Sequence, residues 1–474
     1  VTTEAQQQVR YPKMMLSVLM AGTFIGLFGE TALNMALTNL MSEFILSAGQ
    51  AQWLVTGYLL TLAVFVPVSA FLVRWFNTRT LILNALAVSL AGCLIAAFAP
   101  GFTVLLLGRV IQAVGTGVVL PVLLSAALLI FPVYQRGMVM GMVGIAITLA
   151  PALGPTLSGF ILTGFSWHAI FWLSALAYVA VILLALKAMA PIGEITRPRI
   201  DIFSLLLSSA GFSGVIYGLA IMAEHSLSSP QVWGSLLAGL ICLGVFARRQ
   251  VVMKTPMIHP DVFRQPMFVI GLLLMILSMM SVLCAAIILP LFLKDVLMLS
   301  AALAGVLLLP GNIINVIFSP LIGLLYNRFD ARPFVVTGSL FMLASAALFL
   351  FSVGESAQIW HIVVAFMFLC LGVTCVIMPA QTTALSALPA SLYADGSAVW
   401  NTFYQVAGAV GTAMAITLMS FYREKTYAAF PEHGETSALA AGLHAVFWFI
   451  LLLGFLSLAL AFFLRKPHPH TNTE

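Results

Sequence analysis

The chain has 474 residues, 62% of them hydrophobic and only 7% charged, with a formal net charge of +5 and a mean hydropathy of +1.11. No soluble domain of this size carries so little charge, and apolar runs of about 20 residues are long enough to cross a bilayer as helices. The short alternating segments of a membrane barrel are absent, so the sequence predicts an all-α polytopic membrane protein.

Fourteen spans are predicted. Span 1, Met14–Leu37, carries Glu30 inside Gly29-Glu30-Thr31-Ala32-Leu33-Asn34. A carboxylate at bilayer depth is costly and usually marks an ion or substrate path. The other reading is a structural carboxylate neutralised by one neighbour. No cleavable leader is expected, because this first segment is long and lacks a small-residue cleavage pattern. Span 2, Ala51–Val73, contains Pro67-Val68-Ser69-Ala70-Phe71-Leu72, and span 3 is Arg79–Ala99. Span 4, Thr103–Ala126, holds Arg109, the one base predicted at depth. Span 5, Gly137–Thr163, is rich in glycine and proline. Span 6 is Trp167–Met189. Spans 7 and 8, Phe203–Met222 and Pro230–Arg248, hold Glu224 and His225 only in their outer turn and are read as peripheral helices without chemistry.

The second half begins with span 9, Met267–Leu293. In span 10, Ala301–Tyr326, the span 2 pattern returns as Pro320-Leu321-Ile322-Gly323-Leu324-Leu325, at an offset of 253 residues. Both copies continue through Phe (Phe76, Phe329) to Arg (Arg79, Arg332). The remaining spans are Pro333–Phe351, Ile359–Ala380, Gly396–Phe421 and Gly442–Leu464. The repeat predicts two parallel halves, spans 1–6 and 9–14, with spans 7 and 8 inserted between them. The expected domains are residues 1–190, 191–255 and 256–474.

Short loops force neighbouring spans to run antiparallel. Of the 20 Lys and Arg, sixteen fall in the tails and loops of one side and three (Lys294, Arg423, Lys425) on the other. Basic loops mark the cytoplasmic side, so both termini are expected there, which an even span count also requires. The loop Tyr422–Ala441 on the opposite side is too small for a folded domain. Cys93, Cys242, Cys284, Cys370 and Cys375 lie in apolar segments without CxxC spacing and are read as small core residues, with no disulfide or metal site. No phosphate-binding loop or hydrolase constellation is present, so neither an enzyme nor an ATP-driven pump is expected. Polar residues inside spans mark a candidate substrate pocket: Asn34, Gln52, Tyr58, Gln112, Asn312, Asn315, Gln381, Asn401, Tyr404 and Gln405. Each of them equally suits interhelical hydrogen bonding.

Several local motifs resemble the major facilitator superfamily, and more narrowly its fourteen-span drug:proton antiporters of the EmrB/QacA type. The resemblance covers essentially the whole chain. Gly29 to Leu37 is similar to the span 1 signature Leu-Asp-x-Thr-x-x-Asn-x-Ala-Leu-Pro, with Glu30 for Asp and Thr38 for Pro. Gly108-Arg109-Val110-Ile111-Gln112-Ala113-Val114-Gly115-Thr116-Gly117 matches the span 4 motif, whose buried arginine is tied to proton transfer. Gly144, Pro151, Gly154, Pro155 and Gly159 match the span 5 antiporter motif of exporters. Asp395-Gly396-Ser397-Ala398, Asn401-Thr402 and Gln405 to Gly408 look like the small-polar stretch of span 13. The loop after span 2 departs from Gly-x-Leu-x-Asp-Arg-x-Gly-Arg: Arg74 and Arg79 are present, the Asp and both Gly are not. Its second copy, with Arg328 and Arg332, also lacks the Asp.

The resemblance implies a proton-coupled exporter of lipophilic or cationic small molecules, working by alternating access of two six-helix bundles plus two inserted helices. Glu30 and Arg109 are the expected proton-coupling pair, and Arg74, Arg79, Arg328 and Arg332 the expected cytoplasmic gate. The driving force would be the proton gradient, with no cofactor. The expected partners are a small-molecule substrate, protons and the lipid bilayer, and no nucleic acid. A flippase for a lipid or lipid-linked precursor, or a substrate-specific exporter, stays open, as do an adaptor and the oligomeric state.

Overall fold

The computed structural model describes residues 10–46, 48–192, 195, 201–222, 229–253, 256–299, 301–352, 358–429 and 434–465. Fourteen long helices and no strand occur among them. They are Pro12–Ala32, Ala48–Trp75, Thr78–Ala97, Phe102–Ile130, Val133–Leu162, His168–Ala188, Ile202–Met222, Pro230–Val252, Pro266–Leu291, Ala301–Arg328, Ala331–Ser352, Ile359–Ser386, Tyr393–Ala429 and Gly434–Ala461, numbered here as spans 1 to 14. Thirteen are long and apolar enough to cross a membrane, and span 5 adds 30 residues that open on an apolar stretch, Val133–Ile147. The chain is a multi-pass membrane protein.

Apolar composition makes these segments helical, because a helix satisfies every backbone polar group inside lipid. Punctuation is supplied by residues that suit helix starts. Pro12, Pro230 and Pro266 stand in first turns, where a missing N–H costs nothing. Asn77 caps span 3 by accepting the Arg79 N–H at 2.9 Å. At the same repeat position Asp330 accepts the Ala331 N–H at 2.7 Å before span 11.

Spans 2 and 10 each have 28 residues, and both begin and end at the offset of 253 found in the sequence repeat. The same offset relates the two described non-glycine residues with left-handed backbone, Ile45 and Met298, each with φ of 54°. They close the far ends of spans 1 and 9, where each helix changes pitch. Span 1 passes through a tight turn at Leu33–Ala36 into Leu37–Phe44, and span 9 runs into a wide turn at Phe292–Val296.

Helix packing repeats as well. Span 1 packs on spans 4, 5 and 6, and span 9 on spans 12, 13 and 14; span 4 packs on spans 2 and 3, and span 12 on spans 10 and 11. Between halves, span 5 lies on span 10 and span 13 on span 2. This is the expected pair of six-helix bundles.

Two local expectations are corrected. Tyr422–Ala441 is largely helix: span 13 runs 37 residues to Ala429 and span 14 starts at Gly434. Arg423-Glu424-Lys425-Thr426-Tyr427-Ala428-Ala429 contains good helix formers and no breaker, so the helix continues past the end predicted at Phe421. Span 13 also starts earlier than predicted, at Tyr393, which places Asp395 in its first turn.

Candidate functional site

Arg109 is fully buried in span 4. Its Nη1 donates to the Gly29 carbonyl of span 1 at 2.8 Å and to Gln112 Oε1 at 3.0 Å, and its Nε donates to the Leu54 carbonyl of span 2 at 3.3 Å. The guanidinium carbon lies 4.1 Å from the centre of the Tyr58 ring, an attractive cation–π geometry. Tyr58 OH in turn donates to the Gly26 carbonyl at 2.8 Å and meets Thr116 Oγ1 at 2.9 Å. One cation and one phenol thus bind three helices at a single level. Gly29 permits this closeness, since a Cβ there would come within 2.7 Å of Gln112 Nε2.

Glu30 follows the carbonyl that Arg109 holds, and its side chain is half-buried. No ion pair joins Glu30 to Arg109, whose hydrogen bonds go to two carbonyls and a glutamine. Among the described residues, Arg109 Nη2 and Gln112 Nε2 are buried donors without a hydrogen-bond partner. The acid and the base predicted at similar depth are therefore neighbours, with uncommitted donors beside them.

The other pocket candidates separate into groups. Tyr58, Gln112, Gln381 and Asn401 are buried. Tyr58 and Gln112 belong to the Arg109 cage, and Asn401 Nδ2 donates back to the Ser397 carbonyl of its own helix at 2.8 Å. Asn312, Asn315, Tyr404 and Gln405 are half-buried. Asn315 accepts a hydrogen bond from Thr374 of span 12, and Tyr404 of span 13 lies within electrostatic reach of Glu30. The side chains of Asn34, Gln52, Pro151 and Pro155 lie outside the described residues.

Span 5 divides its small residues between two partners. Gly141 lies against the Pro320 backbone of span 10, Gly144 against Ser319 and Met378, and Gly323 of span 10 against Gly137. Ser319 Oγ donates to the Gly141 carbonyl at 3.1 Å. Further along, Gly154 receives Thr31 of span 1, and Gly159 lies near Met35. The first half of span 5 thus closes against the opposite bundle and the second half supports the Glu30 helix.

The gate candidates diverge. Arg74, at the end of span 2, forms an ion pair with the fully buried Asp395 of span 13. Arg79 instead donates to the Leu186 carbonyl of its own half at 2.9 Å, and Arg332 lies over Phe462 of its own half at 5.5 Å. Arg328 is exposed. Only Arg74 of the four has a described contact with the opposite half. In the sequence Glu30 reads as the sole deep acid and Asp395 as part of a helix-packing stretch. The available signal was an acid at the head of an apolar span, facing an arginine whose usual partner position holds no Asp. Arg136 adds a second link across the halves, 5.3 Å from the Tyr393 ring. These contacts between halves gather at the end of the spans where the basic loops lie.

The Major Facilitator Superfamily profile matches residues 19–412. The chain is 44% identical to the lincomycin resistance protein LmrB of Listeria monocytogenes over 97% of this chain and 98% of that protein. It is 26% identical to the multidrug export protein EmrB of Haemophilus influenzae over 86% of this chain and 80% of that protein. The solved structure of the proton:xylose symporter XylE superposes with a TM-score of 0.64 at 14% identity, covering 95% of both chains. The chain belongs to the Major Facilitator Superfamily.

Proposed function

We propose that this protein is a drug exporter that exchanges protons for lipophilic or cationic small molecules by alternating access. Near full-length similarity to a lincomycin resistance protein makes lincomycin the first substrate to test. The observation that carries proton exchange is the Arg109 cage. Among the described residues, it grips span 1 at the carbonyl next to Glu30 yet leaves Glu30 outside any ion pair and two donors unused. A static helix-pinning pair would join the two side chains directly. An acid and a base adjacent but unpaired suit a cycle in which Glu30 takes up a proton while it stands apart and releases it when it approaches Arg109. A cationic substrate would compete with that proton for the carboxylate.

In this reading the basic face is cytoplasmic, residues 1–190 and 256–474 form the rocking bundles, and residues 191–255 form the inserted pair. The Arg74–Asp395 pair then belongs to a closed cytoplasmic gate. The experiment is transport by purified protein in liposomes with an acidic lumen. Molecules oriented with their basic face outward should accumulate lincomycin in the lumen, and a proton ionophore should abolish the uptake. Uptake that persists undiminished without a gradient would refute proton coupling.

A further inference from the structure

The inserted pair was expected to be peripheral. Its contacts place it at the gate. Span 7 packs on span 2 of the first half and on span 13 of the second, so it covers the seam between them. Tyr217 of span 7 stacks on Trp53 of span 2, with ring centres 5.7 Å apart. At the basic face the pair is tied together by a polar network. Arg249 of span 8 forks onto Asp201 at 2.8 and 3.1 Å, and its Nε lies 3.2 Å from Ser204 Oγ. Ser204 also donates to Asp201.

Gln250 joins this network to the chain that leaves the pair. Gln250 is buried, and its Nε2 donates to Ser204 at 2.9 Å. Its Oε1 accepts the Met257 N–H at 2.7 Å and the Ile258 N–H at 3.4 Å. The segment so held supplies the other two described hydrogen bonds of the gate pair. The Pro256 carbonyl accepts from Arg74 Nη1 at 3.4 Å, and the His259 N–H donates to Asp395 Oδ1 at 3.4 Å. Arg74 and Asp395 therefore meet on a backbone cradle whose position is fixed by span 8.

We infer that the inserted helices are a brace for the gate: through Gln250 they hold residues 256–259 where the backbone supports the Arg74–Asp395 pair, and so favour the state closed at the basic face. Gln250 acts as a positioning residue and touches neither gate side chain. The cause is geometric. Losing Gln250 leaves two buried N–H groups unsatisfied only while the cradle stays in place, so the closed state is penalised and the open state is not.

The inference rests on the two-state reading above, and its test uses neither drug nor proton gradient. Spin labels go on cysteines replacing Phe76 and Phe329, exposed residues at the basic ends of spans 2 and 10, in a protein whose native cysteines are substituted. Electron–electron distances then report gate closure. Gln250→Ala should lower the closed-to-open ratio by about fivefold or more, and Arg74→Ala should lower it as well. In the Arg74→Ala background, Gln250→Ala should shift the ratio little further, because both act on one contact. Asp201→Arg combined with Arg249→Asp should restore a ratio lost in either single variant. If Arg74→Ala opens the gate while folded Gln250→Ala and Asp201→Arg do not, the brace is overturned and the gate stands. If no variant produces a second distance, the two-state reading itself fails.

Discussion

Arg109 brings a full charge into an interior where charges are rarely left without a partner, and the chain neutralises it with carbonyls, an amide and an aromatic face. The planar fork is essential, because Nε and Nη1 reach carbonyls on two different helices. Arg109→Lys keeps the charge and loses one of these reaches, so we expect destabilisation of about 1–3 kcal/mol, seen as a lower Tm in detergent. An unchanged Tm would show that the cage does not stabilise the fold. Glu30 and Arg109 were legible in the sequence because each is the lone ionisable residue of its sign deep in an apolar run. Asp395 was not, because its meaning depends on a residue 321 positions away. Gln250 and Ser204 were invisible for the same reason: neutral side chains near a span end carry no signal until the chain returns beside them.

At the scale of elements, span 5 is built for close approach on both sides. The Gly141 backbone lies so near Pro320 that an added Cβ would sit 2.9 Å from its Cα. Gly141→Val should weaken closure at the basic face by about 1–3 kcal/mol, since neither backbone can yield without moving its helix. The same spin-label pair would report it as a loss of the short distance. The motif from Gly144 to Gly159 was legible as a glycine pattern, but Gly141 and the bundle that each glycine faces were not.

Proton sensitivity of the gate segment follows from groups outside the spans. His259 is held below its ordinary value, first by burial and then by the Arg74 charge, with Asp261 opposing. A depressed histidine favours the closed arrangement while neutral, and that contribution is lost as the pH falls below about 6.5. Asp201 is held down at about 2, mainly by its hydrogen bond from Arg249, so its contribution persists until pH approaches that value. Lowering the pH at the basic face from 7.5 to 5.5 should therefore open the gate through His259 and leave the Asp201 link intact. His259→Gln should reduce that pH response; a response of equal size in the variant would assign it elsewhere.

The whole molecule repeats its frame without repeating its chemistry. The ends of spans 2 and 10 and the left-handed residues recur at one offset and the packing partners recur in the same pattern, yet Leu283 stands in the second half where Glu30 stands in the first. The repeat was legible because its two copies keep Pro, Phe and Arg in register. The brace role of the inserted helices was not, because their sequences are plain apolar spans. The orientation is tested by labelling in sealed cells: cysteines at Ser47 and His433 should react with an impermeant reagent from outside, and one at Arg199 should not. Reaction at Arg199 would reverse the topology and the direction assigned to the gate.

The central claim is that drug and proton compete at Glu30. It is tested most directly by adding lincomycin to purified protein in weak buffer and recording the pH while binding is measured in parallel. The native protein should release protons as drug binds, and Glu30→Gln, with binding still detectable and Tm preserved, should release none. Equal proton release from the Gln variant would contradict the account.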